Sequence, residues 1–266
     1  MWRQGTLDFQ MALRLGLIGL GAIGRGVLRL LTPADDVQVV GALVRNASRS
    51  APVPLFDTLD ELLARHPDVV VEVAGHKALR CYGARVLRSR VDLIMLSVGA
   101  LADADVEAEL RESAATGGSR ALIASGAIGG LDALSAAAVG GLDRVTHTTR
   151  KPARAFLSAE EAAKLREPRE LFRGCAREGV LKFPENINVA AAVSLAGIGL
   201  DRTEVCVIAD PALERNMHEV VAQGAFGELR FEIRGVPSED NPRTGRIVAM
   251  SVVRTLRRLR APLSIG

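Results

Sequence analysis

The feature that most constrains this chain is a short apolar run that ends in glycines. Leu13-Arg14-Leu15-Gly16-Leu17-Ile18 is followed by Gly19-Leu20-Gly21-Ala22-Ile23-Gly24. The run reads as a buried strand, and the amphipathic segment 23–31 reads as a helix. A GxGxxG fingerprint carries little weight alone, but between a strand and a helix it marks a dinucleotide-binding turn. The first glycine permits the tight turn, the second lets backbone N–H groups approach a pyrophosphate, and the third lets helix and strand pack closely. The helix start, at Ala22, Ile23 and Gly24, offers unpaired N–H donors and a partial positive charge to the phosphates.

After this unit, strand patterns over 37–44, 69–74, 92–98 and 120–124 alternate with helix patterns over 58–64, 77–88, 103–116 and 131–139. Such alternation calls for a parallel sheet with helices on both faces. The character changes near residue 141. Strands are expected over 143–150, 204–209 and 229–233, with helices over 158–166, 189–196 and 247–259. The expected fold class is therefore α/β: a Rossmann-type doubly wound parallel sheet with a second, smaller α+β domain. The spacing assigns 11–140 to dinucleotide binding, completed by the C-terminal helix within 241–266. It sets 141–240 apart as the second domain, which the resemblance named below makes the substrate, catalytic and dimerisation unit. Residues 1–10 read as a flexible extension, with Met11 as an alternative start.

The sequence pI of about 9.0 invites a nucleic-acid reading, but the charge is dispersed. Only Lys77, Lys151, Lys164 and Lys182 among the 34 basic residues are lysines. The densest group, Arg254, Arg257, Arg258 and Arg260, falls at helical spacing and reads as a solvated helix face. No nucleic-acid partner is expected. Cys81, Cys175 and Cys206 form no CxxC and pair with no histidine at ligand spacing, so neither a metal site nor a disulfide framework is indicated. Reduced thiols point to the cytoplasm. The longest apolar run, 187–200, is too short for a bilayer and is broken by Gly197 and Gly199, so no membrane partner is expected either.

NAD-selective sites place Asp or Glu at the end of strand two, where it bonds the ribose. Here that position reads Val44-Arg45-Asn46. Arg45 can pair with a 2′-phosphate, which favours NADP or dual use; the alternative is a solvent-facing loop arginine. Small residues at later strand ends, around Ala74, Ser97 and Ala124, leave room for a nicotinamide ring. Among the histidines, His66 and His147 read as structural and His76 sits in a cofactor-side loop. His218 follows Asp210-Pro211, Arg215 and Asn216, and an imidazole titrating near neutrality is the usual acid–base group. Were the segment helical, Arg215 would lie one turn from it. Arg150, Lys151, Arg215 and Asn216 are candidate ligands for an anionic substrate, arginine offering bidentate pairing with a carboxylate.

These residues resemble the L-aspartate dehydrogenase family. The resemblance rests on Gly19–Gly24, Ser97–Asp103, Ser125–Asp132, Thr149–Pro152, Phe183–Val189 and Asp210–Glu219, and it runs from about Leu13 to the C-terminus. It implies reversible oxidative deamination of L-aspartate by way of iminoaspartate with NAD or NADP, feeding NAD biosynthesis. It also implies a dicarboxylic amino-acid substrate and a homodimer. By resemblance His218 is the catalytic residue, and Ala124 and Asn188 touch the dinucleotide. Rival readings fit less well. A dihydrodipicolinate-reductase-like enzyme carries a paired-histidine stretch and a Lys-Asp-Ala-Pro-Ser-Gly-Thr segment, and both are missing. Homoserine dehydrogenase shares the nucleotide domain but not the neighbourhood of His218. A non-catalytic dinucleotide-sensing module would need neither His218 nor substrate cations.

Overall fold

The computed structural model describes residues 12–48, 50–183, 188–241, 244–263 and 265. The expected extension at 1–10, with Met11, lies outside them. In chain order the strands are β1 Leu13–Ile18, β2 Val37–Leu43, β3 Leu55–Phe56, β4 Val69–Glu72, β5 Asp92–Met95, β6 Ala121–Ile123, β7 Leu142–Pro152, β8 Arg169–Cys175, β9 Glu204–Asp210, β10 Met217–Gly224 and β11 Gly227–Arg234. The helices are α1 Ala22–Leu30, α2 Leu59–Leu63, α3 His76–Arg88, α4 Ala104–Gly117, α5 Leu131–Val139, α6 Ala159–Lys164, α7 Ala176–Lys182, α8 Asn188–Ala196 and α9 Ile247–Arg260.

The first sheet is parallel throughout, in the order β3-β2-β1-β4-β5-β6. The strand order reverses between β1 and β4, and ligands of such sheets bind in the crevice beyond that point. Alternation sorts the side chains to two faces. Leu15, Leu17, Val69, Val71 and Ile94 pack with Val27 of α1 and Val252 and Leu256 of α9. Ile18, Val70, Leu93 and Met95 pack with Leu62, Leu79, Leu87 and Leu110 of α2 to α4. A Cβ on Gly26 would come within 2.9 Å of the Ala249 Cβ, which is how closely α9 rides on α1.

The second sheet is mixed, in the order β11-β10-β7-β9-β8, with β7 and β9 parallel and the remaining pairs antiparallel. Its inner face carries Val145, Val220 and Ala222, which pack with Val189 and Val193 of α8 and Leu134 of α5. Sequence patterning leaves out β3, β8, α7 and, most consequentially, β10. No helix among the described residues is long and apolar enough to cross a membrane.

One side chain ties the strand ends of the first sheet together. Glu72, fully buried at the end of β4, accepts hydrogen bonds through Oε1 from Ala74 N (2.7 Å), Gly75 N (2.8 Å) and Ser97 Oγ (2.9 Å). Through Oε2 it accepts one from Ser97 N at 3.1 Å. Burial pushes its pKa up, and these donors pull against that rise. Leucine in its place would leave these four donors without their acceptor, at roughly 1–3 kcal/mol for each one cut off from water, as both from Ser97 are. Glu72→Leu is therefore expected to lower unfolding free energy by at least about 3 kcal/mol in urea titration. Glu72→Gln, which can keep the Oε1 contacts and lose only the Ser97 N bond, should cost less. Wild-type midpoints in both variants would contradict the clamp.

Candidate active site

The glycine turn behaves as the spacing requires, each glycine for its own reason. Gly19 has φ +97°, and a Cβ there would sit 2.9 Å from Ala74 Cβ. A Cβ on Gly24 would come within 2.7 Å of the Gly19 carbonyl oxygen, so the third glycine permits the helix to start against the turn. Gly21 differs: a Cβ there would meet nothing within 4 Å. Its openness serves close approach from outside, not packing inside. Gly21 is also the N-cap of α1, with no side-chain cap and no acidic residue in the first turn. The helix end is left to an anion, which fits the pyrophosphate of a dinucleotide.

Beyond the turn, an open cleft of about 860 Å³ lies between the two sheets. Ile23 of α1, Ala124, Lys151, Asn188, Asn216 and His218 all line it. Gly126 closes part of its wall by donating to Ser251 Oγ of α9 at 3.1 Å. Asn188 begins α8, and its Oδ1 accepts from Gly99 N at 3.0 Å. The same oxygen lies 2.8 Å from His76 Nε2. Because the Gly99 N–H can only donate, the atom facing it is the amide oxygen, and His76 must donate from Nε2. Asn188 is thereby left with its NH₂ for a ligand.

The inner face of the second sheet supplies the ionisable groups. Along β7, alternation turns His147, Thr149 and Lys151 inward; from β10 come His218 and Val220. Lys151 is 6% exposed, its ammonium 5.7 Å from the centre of the Phe156 ring. Burial draws its pKa down to about 8. His218 is also buried, and its pKa falls well below the ordinary value through burial first, then His147, then Lys151. This corrects the expectation of an imidazole titrating near neutrality: in the folded protein His218 is neutral there. His147 Nε2 lies 3.3 Å from His218 Nδ1, a contact that no local sequence pattern signals.

Several sequence candidates fall elsewhere. Arg150 follows the same alternation as Lys151 and so turns to the opposite face, where it lies 3.6 Å from Asp210. Arg215 is exposed in a bend before β10; the segment is not helical, so no helical turn sets it against His218. Ser97 has both its hydroxyl and its N–H committed to Glu72, which takes them from a cofactor. Ala74 is exposed at the crevice, its N–H likewise held by Glu72. Arg45 is exposed just past β2, and no carboxylate among the described residues pairs with it. Among the described residues no cluster could hold a metal ion.

Comparison with known proteins agrees with this geometry. Residues 19–124 match the family model for the NAD binding domain of homoserine dehydrogenase, and residues 132–259 match that for the C-terminal part of aspartate dehydrogenase. The chain is 44% identical to an L-aspartate dehydrogenase of Ruegeria pomeroyi, over 97% of this chain and 96% of that one. It is 41% identical to one of Pseudomonas aeruginosa, over 92% and 96%. The solved aspartate dehydrogenase of Thermotoga maritima superposes with a TM-score of 0.80 at 28% identity, covering 96% of this chain and 99% of that one. An engineered D-amino acid dehydrogenase bound to NADP+ shares the fold alone, at 16% identity and a TM-score of 0.53, over 93% and 90% of the two chains. The chain belongs to the L-aspartate dehydrogenase family and is an NAD(P)-dependent oxidoreductase of amino acids.

Proposed function

We propose that this enzyme carries out the reversible oxidative deamination of L-aspartate to iminoaspartate, which water converts to oxaloacetate and ammonia. The observation that carries this reading is the convergence of His218, Lys151 and Asn216 with Ile23, Ala124 and Asn188 on one cleft. The first three suit a dicarboxylic amino acid, the last three the nicotinamide end of a dinucleotide. Residues 11–140 with the helix in 241–266 make the cofactor unit, and 141–240 the substrate unit. The dinucleotide, when bound, accepts the hydride from Cα.

The chain's own residues do the rest. The glycine turn and the α1 N-terminus hold the pyrophosphate. Asn188 donates its NH₂ near the reacting end. Lys151 is the buried cation for a substrate carboxylate, and a charge so placed is worth much more than one in water. Asn216 adds a polar contact. Arg150 and Arg215 have no part in this binding. His218 is the catalytic residue, its ring meeting the polar groups at Cα. Arg45, in a stretch Val44-Arg45-Asn46 that carries no Asp or Glu of its own, supports a 2′-phosphate, so both NAD and NADP serve. Cytoplasmic location and supply of iminoaspartate to NAD biosynthesis fit this chemistry.

The outer face of the second sheet supports a homodimer. Thr146, Thr148, Ile208, Met217 and Val221 are half-buried there, a flat mixed surface suited to a second copy. A monomer mass by light scattering would count against it.

The direct test is NAD(P)H formation from L-aspartate beside L-glutamate, L-alanine, L-malate and L-homoserine. Activity is expected with aspartate and either dinucleotide; its absence sinks the reading. His218→Ala should lower kcat by about 10²- to 10³-fold, the usual loss when one positioned hydrogen-bond donor is removed. NADPH affinity, measured by fluorescence, should stay the same. A variant with near-normal kcat would remove His218 from the chemistry.

Lys151 makes a pH prediction whose sign is fixed by burial. Its lowered pKa of about 8 means the free enzyme holds an ammonium below that pH and a neutral amine above it. Affinity for succinate, a dicarboxylate without the amine, should therefore weaken as pH rises through about 8. Lys151→Arg should abolish that limb, because a guanidinium keeps its charge. Lys151→Met should lose most of the binding. Succinate affinity in the wild type that ignores pH over this range would contradict the assignment.

A further inference from the structure

Behind His218 stands a second buried imidazole that the reaction as described does not use. His147 and His218 are not directly opposite in the sheet: His147 is level with Val220, and His218 with Thr149. This stagger lets the rings stack, centroids 5.5 Å apart and planes 16° apart. His147 Nε2 then lies 3.3 Å from His218 Nδ1. Both residues are buried, at 0% and 5% exposure. Two neutral imidazoles at this separation hold one proton between them, so one nitrogen donates and the other accepts.

The direction follows from the far side of His147. Its Nδ1 is buried and has no hydrogen-bond partner. A proton on that atom would leave an orphaned N–H in the core, which is costlier and rarer than a bare lone pair. His147 therefore carries its proton on Nε2 and donates to Nδ1 of His218. Neutral His218 must carry its own proton on Nε2, the nitrogen left to face the cleft. The tautomer of one imidazole is set by the hydrogen bond made at its other nitrogen.

We propose that His147 is a positioning residue: its Nε2–H···Nδ1 hydrogen bond fixes the ring plane and tautomer of His218, so that His218 meets the substrate as a neutral N–H donor. This rests on the reading of His218 as the catalytic residue and specifies the form in which it works. A neutral donor suits an oxygen that gains negative charge without taking the proton. The C2 carbonyl oxygen of oxaloacetate, as ammonia adds to that carbon in the reverse direction, is such an acceptor. A donor aimed in advance at developing charge needs no reorganisation when the charge appears.

The surroundings keep the pair in this state. Lys151, two residues beyond Thr149 on the same face of β7, is the charged group that faces both rings. Val205 of β9 and Val220 of β10 flank His147 in register and are apolar. Asn188, Val189 and Ala192 of α8, which share the cleft wall, do not titrate. Burial, then the charge of Lys151, lowers His147 to about 3, so neither ring gains a second proton near neutrality.

The test combines ¹⁵N NMR of histidine-labelled enzyme, in the presence of NADP, with kinetics of His147→Leu and His147→Gln. The ring-nitrogen shifts of His218, one of four histidines, should show a bare Nδ1 and a protonated Nε2. His147→Leu should release His218 into a mixture of tautomers and lower kcat on the order of 100-fold, as for a small misplacement of a reacting group. NADPH affinity should hold. His147→Gln, whose amide N–H reaches the position of the lost Nε2–H, should recover most of kcat and the single tautomer. A protonated Nδ1 on His218 in the wild type overturns the proposal, as does a normal kcat in His147→Leu. A lowered kcat with unchanged His218 signals also overturns it, since the loss would then be structural. Should His147→Leu fail to fold, the wild-type spectrum and His147→Gln decide. If His218→Ala keeps its kcat, the reading of His218 itself has failed, whatever the His147 variants do.

Discussion

The period of two along β7 is the constraint on which this site depends. A strand turns successive side chains to opposite faces, so the choice between Arg150 and Lys151 is made by register and not by chemistry. Val145, packed with α5 and α8, sets which face is inward. His147, Thr149 and Lys151 must follow it into the core, while Arg150 goes to the outer face and Asp210. β10 pairs antiparallel with β7 and is bound by the same rule. Val220 and Ala222 face inward, and His218 comes with them. A one-residue slip of β7 would turn His147 and Lys151 out of the cleft and Arg150 into it, and a slip of β10 would turn His218 out.

That constraint explains the electrostatics of the site. Groups brought inward by alternation are desolvated whether or not they are paired, and burial disfavours the charged form. Hence Lys151 titrates near 8, and the two histidines stay neutral. The first sheet solves the opposite problem. It buries a carboxylate, Glu72, and surrounds it with donors from two strand-end loops. One side chain thus sets the loops at the strand ends of the first sheet; on the other sheet, desolvated bases face the cleft.

Much of this was legible in the sequence. The βα alternation and the glycine turn have strong local signatures, and each glycine at 19, 21 and 24 has the local reason its spacing implied. β10 was missed because its inward positions begin with a histidine, so Met217-His218-Glu219 carries no apolar alternation to read. Nothing local marks out Glu72; only the tertiary contacts show it to be fully buried. Chemistry alone nominates the cations Arg150 and Arg215, yet residue type does not say which face a strand presents or that a bend points outward. His147 reads as a structural histidine in a strand. Its neighbour His218 lies 71 residues away along the chain, and no local pattern reports such a pairing.

The measurement that bears most directly on this account is a crystal structure of the enzyme with NADP and succinate. The account predicts the dicarboxylate in the cleft between the sheets, one carboxylate on Lys151 and the carbon chain beside His218. The nicotinamide should lie against Ala124 and Asn188. Succinate bound instead at Arg150 or Arg215, with Lys151 and His218 untouched, would contradict it.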